Sequence, residues 1–183
     1  MLSEKFIGTG VAVTTPFKSN KKIDYGALKN HIQFLIENGI NYLVILGTTG
    51  EAATLTEEEK QEVIDTFRKT SNGKVPLVLG IGGNNTQAVV EKLKNSDLQG
   101  IDAILSVAPY YNKPQQDGLY EHFKTIATNS PLPVILYNVP GRTGVNISPE
   151  TITNLAKDNK NIIAVKEASA SFTQAMHIIQ NKP

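Results

Sequence analysis

Six short apolar runs, separated by amphipathic stretches, recur along this chain about every thirty residues, the length of a strand and its crossover helix. They lie near 7 to 13 (IGTGVAV), 42 to 46 (YLVIL), 76 to 81 (PLVLGI), 102 to 107 (DAILSV), 133 to 137 (PVILY) and 162 to 166 (IIAVK). Runs this uniformly apolar predict strands covered on both faces, which means parallel strands flanked by helices. The intervening stretches carry helix signals. Asp24 is a cap for a segment whose Leu28, Ile32, Leu35 and Ile36 share one face, and Gly39 stands where a left-handed C-terminal cap belongs. Thr56 and Glu59 form a capping box ahead of Val63, Ile64 and Phe67, with Gly73 closing that helix. Ser148 and Pro149 supply a cap and a first-turn proline before Ile152 and Leu155. Further helices are expected near 86 to 98, 116 to 128 and 171 to 181.

Two architectures fit six such units: a doubly wound sheet or a (β/α)8 TIM barrel. A doubly wound nucleotide-binding sheet prefers GxGxxG after its first strand. Gly8 and Gly10 fall within the first run with no third glycine to follow, GIGGNN at 80 to 85 fails the same pattern, and no GxxxxGK[ST] loop exists. A barrel has a different difficulty, because eight units take about 250 residues. This chain has 183.

Composition narrows the function classes. With 40% hydrophobic residues the chain buries one core, and a single domain over 1–183 is expected. Eighteen basic against seventeen acidic residues leave a charge of +1 without a basic stripe, which argues against nucleic acid as a partner. No apolar stretch approaches the roughly 18 residues of a membrane span, and MLSEKFIGTG lacks a signal-peptide core. A cytoplasmic protein without membrane association is therefore expected. The absence of cysteine excludes disulfides, thiolate nucleophiles and Cys-ligated metals; His31, His122 and His177 form no HExxH-like pair, so no metal is expected.

In a parallel barrel the chemistry collects at the C-terminal ends of the strands. Counting by twos groups Ile162, Ala164 and Lys166 on one face of the last run, with Lys166 at the rim, and Ile135 with Tyr137 on the run before. Thr48 and Thr49 follow the second run, and Tyr110 and Tyr111 the fourth. Each residue has an ordinary alternative: a snorkelling lysine, an edge aromatic, a simple turn, a packing pair, or, for Arg142, a surface charge in a Pro-Gly loop. Their recurrence directly after different strands favours a site.

GTTGEAATLT (47–56), APYYNKP (108–114), ILYNVPGRTG (135–144) and IIAVKEAS (162–169) resemble the dihydrodipicolinate synthase family, in that family's order, and the similarity runs from GTGVAVTTPF to Lys166. The resemblance implies a (β/α)8 barrel, of which about six units are present and the C-terminal part is missing. It implies condensation of pyruvate with aspartate-4-semialdehyde on the way to diaminopimelate and lysine, with no cofactor. A lysine attacks a ketone only as the free amine, which desolvation favours, and the resemblance gives that role to Lys166. Tyr137, Thr48 and Tyr111 would relay protons, Tyr111 by reaching into a neighbouring subunit. Thr48 and Thr49 would hold the pyruvate carboxylate, and Arg142 the carboxylate of the semialdehyde. A homodimer or homotetramer is implied.

Arg142 separates close relatives, because N-acetylneuraminate lyase shares the lysine and the tyrosine but lacks this arginine. A sugar-acid aldolase is the enzymatic alternative, and a noncatalytic keto-acid-binding barrel the alternative of another class. In lysine-inhibited members, polar side chains stand where this chain has Ala52, Glu57, Lys60 and Ala88, although Asn84 is kept. Weak feedback inhibition by lysine is the resulting expectation.

Overall fold

The protein, described here from a computed structural model, is defined over residues 2–183. Its chain divides into two compact units, Ser3–Gly80 with Gln99–Asp102, and Ile81–Leu98 with Ala103–Pro183.

The first unit holds a 3-10 turn (Leu2–Phe6), β1 (Gly10–Ala12), α1 (Tyr25–Glu37), β2 (Tyr42–Ile45), α2 (Glu57–Ser71) and β3 (Leu77–Gly80). β1 and β3 pair in parallel with β2 on either side of it. The first strand is shorter than its apolar run: Gly8, expected inside it, lies outside with a φ of 115°. Asp24 accepts from the Ala27 amide, and Thr56 with Glu59 completes the reciprocal capping box. α2 closes one residue before the expected glycine, on left-handed Asn72, with Gly73 left-handed behind it. Leu28 and Ile32 of α1, Val63 and Phe67 of α2, and Leu43, Ile45, Leu77 and Leu79, which share one face of β2 and β3, are all buried in the core of this unit. At the opening of β3, Asp102 takes the Leu77 amide at 3.0 Å and the Lys5 ammonium at 3.0 Å.

The second unit holds α3 (Thr86–Asn95), β4 (Ala103–Val107), α4 (Gln116–Asn129), β5 (Val134–Asn138), α5 (Pro140–Thr143), α6 (Pro149–Asp158), β6 (Ile162–Glu167) and α7 (Phe172–Asn181). β5 pairs in parallel with β4 and with β6. Ser148 caps α6 with Pro149 in its first turn, as the sequence predicts. Every residue of β5 is buried, matching a strand covered on both faces. Ile104, Leu136, Leu119, Phe123, Ile126 and Leu155 form the centre of this core. In each unit the strands pair in chain order, β1-β2-β3 and β4-β5-β6. A barrel wound in one direction has this order, and so does each half of a doubly wound sheet, whose reversal falls between the halves.

Within the core, His122 is 4% exposed; its Nδ1 shares a 2.8 Å hydrogen bond with the Thr86 hydroxyl while Nε2 has no partner. Burial pulls its pKa down to about 4, so the ring is neutral at ordinary pH.

Candidate active site

The register of β5 against β6 sets two cross-strand pairs at their C-terminal ends, Tyr137 opposite Lys166 and Asn138 opposite Glu167. Side chains alternate along a strand, so the first pair lies on one face of the sheet and the second on the other. On the first face, Lys166 Nζ sits 4.4 Å from the centroid of the Tyr137 ring. That is within cation–π range for an ammonium. Tyr137 is 6% exposed and Lys166 is half-buried. The desolvation expected of Lys166 is therefore partial, and Ala164 beside it is exposed.

Val134 pairs with Ile162 but Ile135 pairs with Ala164, so a bulge at Ile163 places two residues of β6 against one step of β5. Ile162 therefore does not share a face with Ala164 and Lys166, as counting by twos predicts; it is buried while Ala164 is exposed. Beyond the bulge, Ala164 and Lys166 do share a face, and Ile135 and Tyr137 share one on the neighbouring strand.

On the second face, sequence reasoning missed a polar network. Asn138, fully buried, donates to Glu167 Oε2 at 2.9 Å and to Asn146 Oδ1 at 2.8 Å, and accepts from the Ile147 amide at 3.0 Å. Gln174 of α7 donates to the same Glu167 oxygen at 2.8 Å and accepts from Asn146 at 2.8 Å. The other Glu167 oxygen takes the Ser169 amide at 2.7 Å. Burial works to raise the Glu167 carboxyl, but hydrogen bonds from Ser169, Asn138 and Gln174 outweigh it and hold the group below the usual carboxylate range. The available signal was a polar residue directly after the aromatic of one buried strand and directly after the lysine of the next.

Arg142 lies on α5, exposed. The Pro-Gly segment expected as a loop is a four-residue helix: the Arg142 and Thr143 amides both reach the Val139 carbonyl, at 2.9 and 3.0 Å, and left-handed Gly144 ends it. Tyr111 is 90% exposed and held at a φ of 74°, a left-handed conformation uncommon for a bulky residue. Tyr110, half as exposed, has its carbonyl bound by the Asn84 amide group at 3.1 Å.

Thr48 and Thr49 belong to the first unit, exposed on the turn after β2. The turn is shaped by backbone: Gly50 and Glu51 amides reach back to the Gly47 and Thr48 carbonyls at 3.1 Å each, and the buried Thr15 hydroxyl donates to the Gly50 carbonyl at 2.7 Å. Leu46 and Glu51 bracket it at φ values of 53° and 54°. A β-carbon on Gly80 would collide with the Leu46 carbonyl oxygen and come within 2.8 Å of its carbon, so only glycine permits this approach. Among the described residues no group of three or more His, Asp or Glu is arranged to hold a metal ion, and no helix is long and apolar enough to cross a membrane.

A model of the dihydrodipicolinate synthetase family matches residues 5–183. The chain belongs to that family. Among curated members, the 4-hydroxy-tetrahydrodipicolinate synthase of Flavobacterium psychrophilum is 57% identical over 180 residues, which is 98% of this chain and 61% of that protein. The solved dihydrodipicolinate synthase of Aquifex aeolicus superposes with a TM-score of 0.89 at 43% identity, over 96% of this chain and 60% of that one. A solved monomeric dihydrodipicolinate synthase variant superposes with a TM-score of 0.93 at 39% identity, over 98% and 59% respectively. The chain thus spans about three fifths of the length of the family members it matches. Its fold class is theirs, the (β/α)8 barrel, with six βα units present.

Proposed function

We propose that the protein is a class I aldolase that condenses pyruvate with aspartate-4-semialdehyde, as a 4-hydroxy-tetrahydrodipicolinate synthase, and that residues 1–183 belong to one barrel domain of it. The observation that carries this reading is the Lys166 amine set 4.4 Å from the Tyr137 ring at the C-terminal ends of neighbouring parallel strands, in a chain of this family.

In this reading, neutral Lys166 adds to the pyruvate ketone, and loss of water leaves a protonated imine. That cation withdraws electrons from the adjacent methyl group, which gives up a proton and becomes an enamine. The enamine carbon attacks the aldehyde, the resulting alkoxide takes a proton, and the amine of the semialdehyde then adds to the imine carbon and expels Lys166, which closes the ring and frees the lysine. Tyr137, with Thr48 and Tyr111, carries these protons. The exposure of Tyr111 suits a group completed by a second subunit, so a homodimer or homotetramer is part of the proposal, although one solved relative is described as a monomeric variant. Thr48 and Thr49 bind the pyruvate carboxylate, and the exposed Arg142 guanidinium takes the second carboxylate. No step requires a cofactor. The products and substrates are small and polar, which fits action in the cytoplasm.

Borohydride reduction with pyruvate on the full chain, followed by peptide mass mapping, tests the reading. A reduced adduct on Lys166 is expected; an adduct on another lysine, or none, overturns it. Turnover of aspartate-4-semialdehyde in preference to sugar aldehydes is expected in the same preparation.

A further inference from the structure

The network lies on the opposite face of the sheet from Lys166 and Tyr137, yet it is attached to the same two strand ends. Asn138 directly follows Tyr137, Glu167 directly follows Lys166, and the two are themselves a register pair. Three donors converge on one carboxylate: the side-chain amides of Asn138 (2.9 Å) and Gln174 (2.8 Å) and the Ser169 backbone amide (2.7 Å). Only an acceptor-only group satisfies all three, because the amide of a glutamine would set a donor against at least one of them. Through these contacts Glu167 ties the end of β5, the start of α7 and the chain beyond β6 to one point. The Asn138 carbonyl receiving the Ala168 amide at 2.8 Å adds a backbone bond to the same junction.

We propose that Glu167 is a positioning residue, whose three-way clamp at the β5–β6 junction fixes the height of Lys166 over Tyr137. The proposal rests on the aldolase reading for the role of Lys166, but its geometry is independent of it. A hydrogen-bonded carboxylate one residue from the nucleophile need not touch substrate to matter, since a displacement of about 1 Å in a reacting group costs on the order of a hundredfold in rate.

The test uses the full chain with Glu167→Gln and, separately, Gln174→Leu, which deletes one of the three donors. The readouts are the rate of borohydride-trapped imine at saturating pyruvate and the division of any loss between kcat and KM. For Glu167→Gln, trapping and kcat are expected to fall about a hundredfold with KM for pyruvate held within about threefold, because binding survives while the approach geometry does not. For Gln174→Leu a loss of about tenfold, again in kcat, is expected. Trapping by Glu167→Gln at the unaltered rate, or a loss confined to KM, overturns the proposal. Should Glu167→Gln fail to fold, Gln174→Leu decides alone, and unchanged kcat there overturns it as well. If the unaltered protein forms no Lys166 adduct, the aldolase reading falls and this proposal with it; if it does and both variants trap normally, only the positioning role falls.

Discussion

The end of β5 and β6 and the turn after β2 are both places where this family's motifs point, and they are built by opposite means. At the β5–β6 junction the geometry is held by side chains: Asn138, Asn146, Glu167 and Gln174 hydrogen-bond one another behind Tyr137 and Lys166. At the β2 turn it is held by main chain, with two 3.1 Å amide–carbonyl bonds, left-handed residues at each side and a glycine whose missing β-carbon makes room for the Leu46 carbonyl. A site of the first kind fails when one polar atom is exchanged. A site of the second kind fails when the backbone loses an unusual conformation. The two predict different responses to substitution.

Substitution of the reacting amine itself should cost the most activity. Lys166→Ala removes the nucleophile, so kcat/KM should fall at least about a thousandfold, or about 4 kcal/mol of transition-state stabilisation, with little change in the urea midpoint. Steady-state kinetics beside a denaturation curve checks both halves, and turnover within tenfold of normal would end the covalent mechanism.

Acid acts on the second unit through Glu167 and His122, whose pKa values both lie below their ordinary ones. His122 ionises near 6.5 when unfolded but near 4 when folded, so the unfolded chain binds the extra proton first as pH falls. Stability is intact above pH 6.5 and declines through the window down to about 4, by up to about 3 kcal/mol. Glu167 works in the same direction lower down: its stabilisation is present above the ordinary glutamate range and is lost as pH drops through its depressed value. Urea midpoints measured between pH 7 and 4 should slope downward, and His122→Leu should flatten the curve above about pH 4.5. An unchanged slope would mean that another group carries the acid sensitivity.

At the β2 turn the counterpart is steric. Gly80→Ala drives a methyl group into the Leu46 carbonyl, and overpacking of this kind costs about 1–3 kcal/mol. Thermal or urea denaturation reads the loss. A fully stable Gly80→Ala protein would show that the β2 end is free to move, and that the contrast between the two regions is weaker than the contacts imply.

Legibility in the sequence follows the same division. The strand runs, the Thr56–Glu59 capping box and the Ser148–Pro149 helix start were readable, because each depends on residues within a turn or two of one another. So was the placing of Lys166 and Tyr137 at adjacent strand ends. The bulge at Ile163 was not, since counting by twos assumes that no residue is inserted, and an isoleucine there announces nothing. The α5 helix was hidden by a Pro-Gly pair that reads equally as a turn. Glu167, Asn138 and Gln174 were each unremarkable polar residues until the fold brought positions 29 and 36 residues apart to one point. Leu46, Glu51 and Tyr111 adopt positive φ without a glycine to mark them, so the shape of their turns was invisible.

The smallest change is expected at Glu51. Glu51 is exposed at a φ of 54°, so its side chain contributes little burial while its β-carbon makes the left-handed conformation costly, by roughly 1–2 kcal/mol. Glycine at this position would relieve that strain but add conformational freedom to the unfolded chain, worth about 0.5–1 kcal/mol against folding. The difference leaves Glu51→Gly more stable by about 0.5 kcal/mol, visible as a small rise in the urea midpoint. If the main chain shapes this turn, the gain appears although a charged side chain has been deleted. If instead a contact of the Glu51 carboxylate shapes it, the same substitution destabilises, and the β2 turn would be a side-chain-built site like the β5–β6 junction after all.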